Sequence, residues 1–372
     1  MNRPLRAVVL LFALILSGMA AVAHADITVG INVVGLQKMD VDHQNAILND
    51  LKAAGVTVIR TGITPDDKGV DFAKRAFAQG IRIDFIVGVQ FRPDAPTRPW
   101  MPKEFPGNWS GHPLSYADPE QFRAYFQPLL DKLDAAGVRL AAFELGNELN
   151  SSAFNSEFPL PGQGRMFDLN DLARDPEAKQ IAAGYLQYLK VLAALRDIRT
   201  HSKVNDRTPV LTAGFAVYEG PEGPIKGAKT DSVSVNATLD FLRANGVDKL
   251  VDAYAVHVYP WSTSPGNATA AAGRRDRLEK YVLAKCRSAG STDGKPCWIT
   301  EWGFKNTSSS CPPDDSTQAQ LIGEMRGDFK PYVQQKKLLG LLYYAWIDDA
   351  EHYGVFRCGA LTNSGRLAIA PM

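Results

Sequence analysis

The feature that most constrains the fold of this chain is a repeated alternation of short apolar segments and longer helical segments. Each apolar run begins near a glycine or polar residue and is rich in valine, isoleucine or leucine, as buried parallel strands are. Eight such runs occur, and each of the first seven is followed by a helical pattern. The alternation predicts an α/β fold, and the number of units predicts a (β/α)8 TIM barrel.

The pattern predicts eight strands and seven helices. The strands are 27–33, 56–60, 81–88, 138–148, 209–215, 251–259, 297–301 and 338–346. The helices are 41–54, 66–79, 119–136, 177–201, 233–245, 270–288 and 316–335. The first three helices are each followed directly by a glycine, which is typical of a short helix-to-strand loop. No regular helix is evident after the eighth strand.

The connecting loops differ in length according to their direction. Loops from helix to strand are mostly short, whereas four loops from strand to helix are long, at residues 89–118, 149–176, 216–232 and 305–315. In a TIM barrel the strand-to-helix loops all lie at one face, where active sites are built. The sequence therefore predicts a cleft at this face and no domain boundary inside the barrel.

The N-terminal residues have the pattern of an export signal. Arg3 and Arg6 precede an apolar run at residues 7–15, and Ala23-His24-Ala25 has the form of a cleavage site. This predicts a secretory signal peptide at residues 1–25 and a single exported domain at residues 26–372. No later segment approaches about 20 uninterrupted apolar residues, so we expect no transmembrane helix.

Charge and cysteine content exclude several classes of partner and chemistry. Lys and Arg total 41 and Asp and Glu total 40, a formal net charge of +1, which argues against nucleic acid or an anionic membrane as partner. We expect a monomer that binds a neutral ligand. The four cysteines of an exported chain predict disulfides, and no C-x-x-C pair indicates zinc or redox chemistry. Three pairings are possible; we favour Cys286 with Cys297, which closes a short loop, and Cys311 with Cys358, which joins two loops at one end of the fold.

Two glutamates stand at predicted strand ends. Glu148 follows Asn147 at the end of the fourth strand, and Glu301 ends the seventh strand, between Thr300 and Trp302. Cleavage of a bond between sugars requires such a pair, with one carboxyl group as proton donor and the other as nucleophile or base. The two glutamates therefore predict glycosidic bond chemistry.

These residues also carry a resemblance to a known family. Asn147-Glu148, Thr300-Glu301-Trp302, His257-Val258-Tyr259 and Trp346 resemble the strand-end residues of glycoside hydrolase clan A, the retaining (β/α)8 glycosidases. Residues 143–150, Phe-Glu-Leu-Gly-Asn-Glu-Leu-Asn, are similar to a Trp-Glu-x-x-Asn-Glu-Pro-Asn run in its β-xylosidase-like branch, with leucine in place of the proline, and the cellulase-like branch is also near. The resemblance implies that Glu148 is the acid/base, that Glu301 is the nucleophile, and that no metal or organic cofactor takes part.

Neighbouring polar residues are candidates for substrate binding and for control of the glutamates. Arg60 and Tyr259 can keep Glu301 ionised, and Asn147 can contact a sugar 2-hydroxyl. His257 is a candidate for contact with substrate or nucleophile. Glu144 has the same strand parity as Glu148, and we expect it to pair with Arg60 inside the barrel.

Aromatic residues at the same face suit the apolar faces of sugar rings. Five tryptophans fall in or beside the predicted strand-to-helix loops and strand ends: Trp100, Trp109, Trp261, Trp302 and Trp346. We expect Trp346 to form the floor of the subsite for the cleaved sugar, and Trp100 and Trp109 either to bind sugar or only to hold their loop. Trp298 lies deeper in a strand.

The sequence thus predicts a secreted retaining glycoside hydrolase acting on β-linked oligo- or polysaccharides. Two alternatives stay open. One is a catalytically silent carbohydrate-binding barrel in exopolysaccharide handling, and the other is a transglycosylase with the same residues. The loop lengths fit either a groove for internal cleavage or a pocket for terminal sugars.

Overall fold

The computed structural model describes residues 27–105, 107–218, 229–260, 264–348 and 352–372. The predicted signal peptide and Trp261 lie outside these residues. The described chain forms a parallel barrel. Its strands are β1 (Thr28–Asn32), β2 (Val58–Thr61), β3 (Arg82–Val87), β4 (Ala142–Leu145), β5 in two segments (Val210–Leu211 and Phe215–Ala216), β6 (Tyr254–Val258), β7 (Cys297–Trp302) and β8 (Leu338–Tyr343).

The order of strand pairing closes this sheet into a ring. Strands β1 to β4 pair in sequence order, β6 to β8 do the same, and β8 pairs with β1. The first segment of β5 pairs with β4, where Leu211 is opposite Glu144, and Leu211 also bridges to Ala253 beside β6. The second segment pairs with β6, where Phe215 is opposite Val256. The predicted TIM barrel is therefore confirmed.

Helices surround the barrel. Those in the described residues are α1 (Val41–Ala53), α2 (Asp67–Ala78), α3 (Pro119–Ala135), α4 (Leu169–Arg174), α5 (Pro176–Thr200), α6 (Val235–Ala244), α7 (Ala268–Arg277), α8 (Ser316–Gln334) and α9 (Asn363–Ile369). Helices α1 to α3 each begin after an aspartate whose side chain accepts hydrogen bonds from first-turn amides, and each is followed by a glycine of positive φ. Such residues satisfy the free amides at the start and allow the left-handed turn at the end.

Three helical regions differ from the prediction. Helix α4 lies within the predicted loop 149–176, where no helix was expected. The chain does have a final helix, α9, which packs against α8, β1 and β8. It was missed because it has only seven residues, too few to show a helical repeat. The predicted helix at 270–288 stops early, since α7 ends at Arg277 and continues only as the single π-turn Leu278–Val282.

The lower part of the barrel interior is filled by one indole together with small and aliphatic side chains. Trp298 is 5% exposed and packs with Ala142, Ala253 and Ala255. A side chain at Gly340 would place its Cβ 2.3 Å from the Trp298 ring, so only glycine fits there. Because this layer is packed, the polar side chains at the upper strand ends form the floor of the cleft.

Both predicted disulfides are confirmed. Cys286 is bonded to Cys297 and Cys311 to Cys358, with Cα–Cα distances of 5.5 Å and 5.9 Å. The second bond joins the loop after β7 to the segment after β8. In the described part of the chain, no helix combines the length and the apolar character that crossing a bilayer requires.

Candidate active site

Glu148 reaches the mouth of the barrel through a tight turn after β4. Gly146 has φ 85° and Glu148 itself has φ 45°, a left-handed conformation that is unusual for a residue with a side chain. The Glu148 amide donates a 2.9 Å hydrogen bond to the carbonyl of Gly214, which fixes this turn to β5. The carboxyl group of Glu148 is thereby directed into the cleft, where its side chain is 15% exposed. Backbone strain held in place by neighbours is characteristic of functional sites.

Glu301 is directed into the same mouth by an irregularity in β7. Ile299 is opposite Val256 of β6 and Glu301 is opposite the next residue, His257, so that Thr300 is the extra residue of a β-bulge. A bulge of this kind re-aims the side chain that follows it. Its effect here is to bring the Glu301 carboxylate beside β6 and β2 with a side chain only 11% exposed.

Two strong donors hold the Glu301 carboxylate. Nη1 of Arg60 donates to Oε1 at 2.6 Å, and the hydroxyl of Tyr259 donates to Oε2 at 2.5 Å. Burial raises the pKa of Glu301, but the charges of His257 and Arg60 and the hydrogen bonds from Tyr259 and Arg60 outweigh burial and leave its pKa below the usual value. Burial, together with the charge of Glu301, raises the pKa of Tyr259 well above its usual value. The hydroxyl therefore keeps its proton and donates a hydrogen bond to Glu301.

Arg60 is the centre of a buried hydrogen-bond network. Its guanidinium binds both oxygens of Glu144, through Nε at 3.0 Å and Nη2 at 2.6 Å, as predicted. It also donates to the side-chain oxygens of Asn32 at 2.9 Å and of Asn147 at 2.8 Å. Burial alone would lower the pKa of Arg60, but Glu144 and Glu301 raise it, so the side chain stays charged. Since arginine only donates, Asn147 presents its oxygen to Arg60 and is left with its amide N–H groups for the cleft.

His257 lies between the two glutamates. Its Nδ1 is 2.7 Å from Oε1 of Glu148 and 3.5 Å from Oε2 of Glu301. The opposite edge of the ring fills the space above Gly214, where a Cβ would lie 2.0 Å from Nε2. Gly214 is therefore a site residue that sequence reasoning missed, because a single glycine inside a predicted strand carries no signal of what packs against it.

Glu148, His257 and Glu301 each have one atom that could bind a metal ion, a carboxylate oxygen or a ring nitrogen, and these three atoms lie within 4.8 Å of one another. Two carboxylates and an imidazole at this spacing offer ligands to a cation. Arg60 already occupies one oxygen of Glu301 with a positive charge, and Tyr259 donates a proton to the other. These contacts oppose a second cation and favour the interpretation of the group as a paired-carboxylate centre.

Asp84 on β3 is a second residue that the sequence did not reveal. It is opposite Arg60 in the pairing of β2 with β3 and is fully buried, and among the described residues neither of its carboxyl oxygens has a hydrogen-bond partner. Burial and the negative charge of Glu144 raise the pKa of Asp84 well above its usual value, against the opposite effect of Arg60. This shift toward the protonated form opposes the accumulation of negative charge around Arg60.

The two glutamates open into a cleft of about 910 Å³. Its walls combine the strand-end polar residues with aromatic side chains from several strand-to-helix loops. The aromatic side chains in its lining are Trp109, Phe154, Tyr218, Tyr259, Tyr344 and Tyr353. A cleft with many aromatic side chains and a few convergent polar groups has the character of a small-molecule or carbohydrate site.

The structure separates the predicted tryptophans into two groups. Trp302 and Trp346 are fully buried and do not line the cleft, which corrects the expected floor of the sugar subsite. Trp302 follows Glu301 along the strand, so its ring points outward and packs edge-on against Phe329 of α8. Trp346 stacks on Phe356 with ring centroids 4.9 Å apart. Tyr344 and Tyr353 instead lie beside Tyr259, with centroids 6.0 Å and 5.2 Å from its ring.

Trp100 and Trp109, by contrast, are exposed. Their rings are stacked with centroids 5.8 Å apart, and Trp109 is part of the cleft wall. The structure thus brings Arg60, Asn147, Glu148, His257, Tyr259 and Glu301 into one site and places the two stacked indoles at its edge.

The fold and this site define a TIM barrel with a paired-carboxylate cleft at the ends of β4 and β7. Solved structures with the same fold include fungal β-1,4-galactanases (15% identity, TM-score 0.51, 92% of this chain and 93% of that chain). They also include the endo-1,4-β-mannanase from Rhizomucor miehei (12%, 0.50, 92% and 93%) and a family 5 xyloglucanase from Paenibacillus pabuli (11%, 0.51, 93% and 98%). No protein-family model matches the chain, and no curated protein is similar to it at a significant level. The resemblance to clan A is confirmed at the level of the fold.

Proposed function

We propose that the protein is a retaining glycoside hydrolase that cleaves β-linked glycosides or polysaccharides through a covalent glycosyl-enzyme. The main observation behind the proposal is the short distance between the carboxyl groups of Glu148 and Glu301. An oxygen of one lies within 4.8 Å of an oxygen of the other across the barrel mouth. Retaining enzymes have carboxyl groups about 5–5.5 Å apart, whereas inverting enzymes need about 6.5–9.5 Å to admit a water molecule. The short spacing favours double displacement.

In the first step, the Glu301 carboxylate attacks the anomeric carbon as the bond to the leaving oxygen breaks. Glu148 gives its proton to that oxygen. The contacts from Arg60 and Tyr259 support this assignment, because they stabilise the ionised form of Glu301 that is required as nucleophile. The amide N–H of Asn147, whose side-chain oxygen accepts a hydrogen bond from Arg60, would donate to the sugar 2-hydroxyl, a contact that strengthens in the transition state in such enzymes.

In the second step, Glu148 takes a proton from water, which attacks the anomeric carbon and releases Glu301. The contact of His257 with Glu148 orients the carboxyl group for both steps. A sugar hydroxyl in place of water would give a transglycosylase with the same residues. A silent binding barrel is the weaker alternative, because carbohydrate binding alone does not require a carboxylate clamped in its ionised form.

The export of the protein is part of the proposal. Two disulfides suit an oxidising compartment outside the cytoplasm, in agreement with the signal pattern at residues 1–25. We infer a periplasmic or secreted enzyme, acting as a monomer on carbohydrate in one domain.

The test is a screen of 4-nitrophenyl β-glycosides and soluble β-linked polysaccharides, followed by NMR of the first product anomer. Glu301→Gln, which keeps the size of the side chain and removes its charge, is the matched control. We expect turnover of at least one substrate with retained configuration, and none by the control. An inverted first product would exclude double displacement. Carbohydrate binding without any turnover would favour the silent barrel.

A further inference from the structure

The indole rings of Trp100 and Trp109 are exposed to solvent at the edge of the cleft. Trp100 is 56% and Trp109 is 52% exposed, and their ring planes differ by only 11°. Val34 and Phe154, which are also exposed, border the same cleft as Trp109. Exposed apolar side chains that are scattered singly need no explanation, but a group that adjoins a cleft indicates a binding surface.

The segment that carries the indoles is fixed. Arg98 and Gly111 exchange two main-chain hydrogen bonds, at 2.8 Å and 3.2 Å, and the Trp109 amide donates to the carbonyl of Ala153 at 2.9 Å. The guanidinium of Arg98 donates to four main-chain carbonyls of the loops after β3 and β4. Their residues are Trp109, Ser152, Asn155 and Phe158, at 2.6–3.4 Å.

This fixation has a consequence for binding. A side chain on a pinned loop loses little conformational freedom when a ligand covers it, so more of the contact energy appears as affinity. If the indoles served only to hold their loop, they would be packed beneath it. Arg98 and the main chain already hold the loop, and about half of each indole remains in solvent.

The indoles also continue the surface of the catalytic cleft. Trp109 and Phe154 line the same volume of about 910 Å³ as Glu148 and Glu301. Trp100 is not part of that lining, but its ring stacks on that of Trp109. Pockets that bind drug-sized ligands have volumes of about 300–1,000 Å³, and this cleft is near the upper end of that range, so it has room for more than one sugar ring. The flat apolar face of an indole is complementary to the C–H face of a pyranose ring.

We propose that Trp100 and Trp109 form an outer subsite that holds a sugar ring of a long β-linked chain at a distance from the bond cleaved. The subsite rests on the proposed function and deepens it, because it names the substrate class as polysaccharide rather than short terminal glycoside. The aromatic faces bind the ring, and the carboxylates act on a bond farther along the chain.

The first test measures binding without turnover. In the Glu301→Gln protein, affinity electrophoresis in gels containing hydroxyethyl cellulose, laminarin, galactomannan, arabinoxylan or β-1,4-galactan gives an apparent Kd for each polymer. We expect retardation by at least one polymer, and a Kd at least tenfold weaker when Trp100→Ala and Trp109→Ala are added. Phe77→Ala, which removes an exposed aromatic side chain from α2, is the matched control and should leave the Kd unchanged.

The second test compares substrate lengths in the otherwise wild-type enzyme. The double tryptophan variant should lose at least tenfold more kcat/KM on the polymer than on an aryl monoglycoside. Equal losses on both would indicate a purely structural role and overturn the subsite, as would unchanged polymer affinity or no retardation by any polymer. Loss of binding in a protein that cleaves no glycoside would reject the proposed hydrolase and retain the subsite. Thermal unfolding confirms that each variant is folded.

Discussion

Replacing Tyr259 with phenylalanine should remove one of the two donors that keep Glu301 ionised. The hydroxyl lies 2.5 Å from Oε2 of Glu301, and phenylalanine fills the same space without it. A hydrogen bond to a charged group contributes about 1.5–3 kcal/mol. Because about 1.4 kcal/mol corresponds to a factor of ten, the ratio of ionised to protonated Glu301 at a fixed pH should fall by about 10- to 150-fold.

The sign of the pH effect follows from the same contact. Tyr259 lowers the pKa of Glu301, so its removal raises that pKa, and the ionised form of Glu301 is lost at a higher pH as the solution is acidified. The acid limb of kcat/KM against pH, measured with an aryl glycoside, should therefore move to higher pH in Tyr259→Phe. Tyr343→Phe is the matched control, since this buried hydroxyl donates to the Phe304 carbonyl instead. An acid limb that stays in place in Tyr259→Phe would refute the assignment of Tyr259.

Three other substitutions test the support of the site. Arg60→Met should lower the free energy of unfolding in urea by about 3–5 kcal/mol, because it leaves a buried carboxylate unpaired. Arg274→Met is the control and should lower the free energy of unfolding by less, since its glutamate partner is partly exposed. Equal losses in the two variants would contradict this prediction. Gly214→Ala should reduce kcat at least tenfold, because the new Cβ displaces the His257 imidazole. Gly323→Ala, in open space on α8, is the control and should leave kcat unchanged. An unchanged kcat in Gly214→Ala would contradict the steric role of Gly214. Cys311→Ser opens a disulfide that spans 47 residues. It should lower the free energy of unfolding, measured by calorimetry, by on the order of 4 kcal/mol, and a loss below about 1 kcal/mol would contradict the chain-entropy estimate.

The parts of the fold that follow a strong local pattern could be predicted from the sequence. The alternation of apolar runs and helices indicated the barrel, since the strands are largely buried on both faces and each of the first three helices is followed by a glycine. The pairing of Cys311 with Cys358 followed from the expectation that strand-to-helix loops share one face. The Arg60–Glu144 contact was predicted from the parity of Glu144 with Glu148 in one strand. Strand β4 ends at Leu145, so Glu148 lies beyond the range of that parity, although Glu144 does face the barrel interior and contact Arg60.

The parts that depend on long-range packing could not be predicted. The bulge at Thr300 changes which side chains of β7 face the cleft, and it is set by the pairing with β6 rather than by local sequence. Trp302 and Trp346 were placed by their position at strand ends, but their rings find apolar partners outside the barrel mouth. The need for glycine at position 214 appears only when the neighbouring strand brings an imidazole against it.

The covalent intermediate provides the most direct test of the central claim. In Glu148→Ala, a 2,4-dinitrophenyl β-glycoside of the sugar selected by the screen needs no proton for its leaving group, so Glu301 can still attack, whereas the second step lacks its base. Mass spectrometry of the intact protein should then show one added sugar mass, located on the peptide that contains Glu301. A Glu148→Ala protein that releases dinitrophenol in a burst but carries no added mass, or carries it on a different residue, would contradict the account.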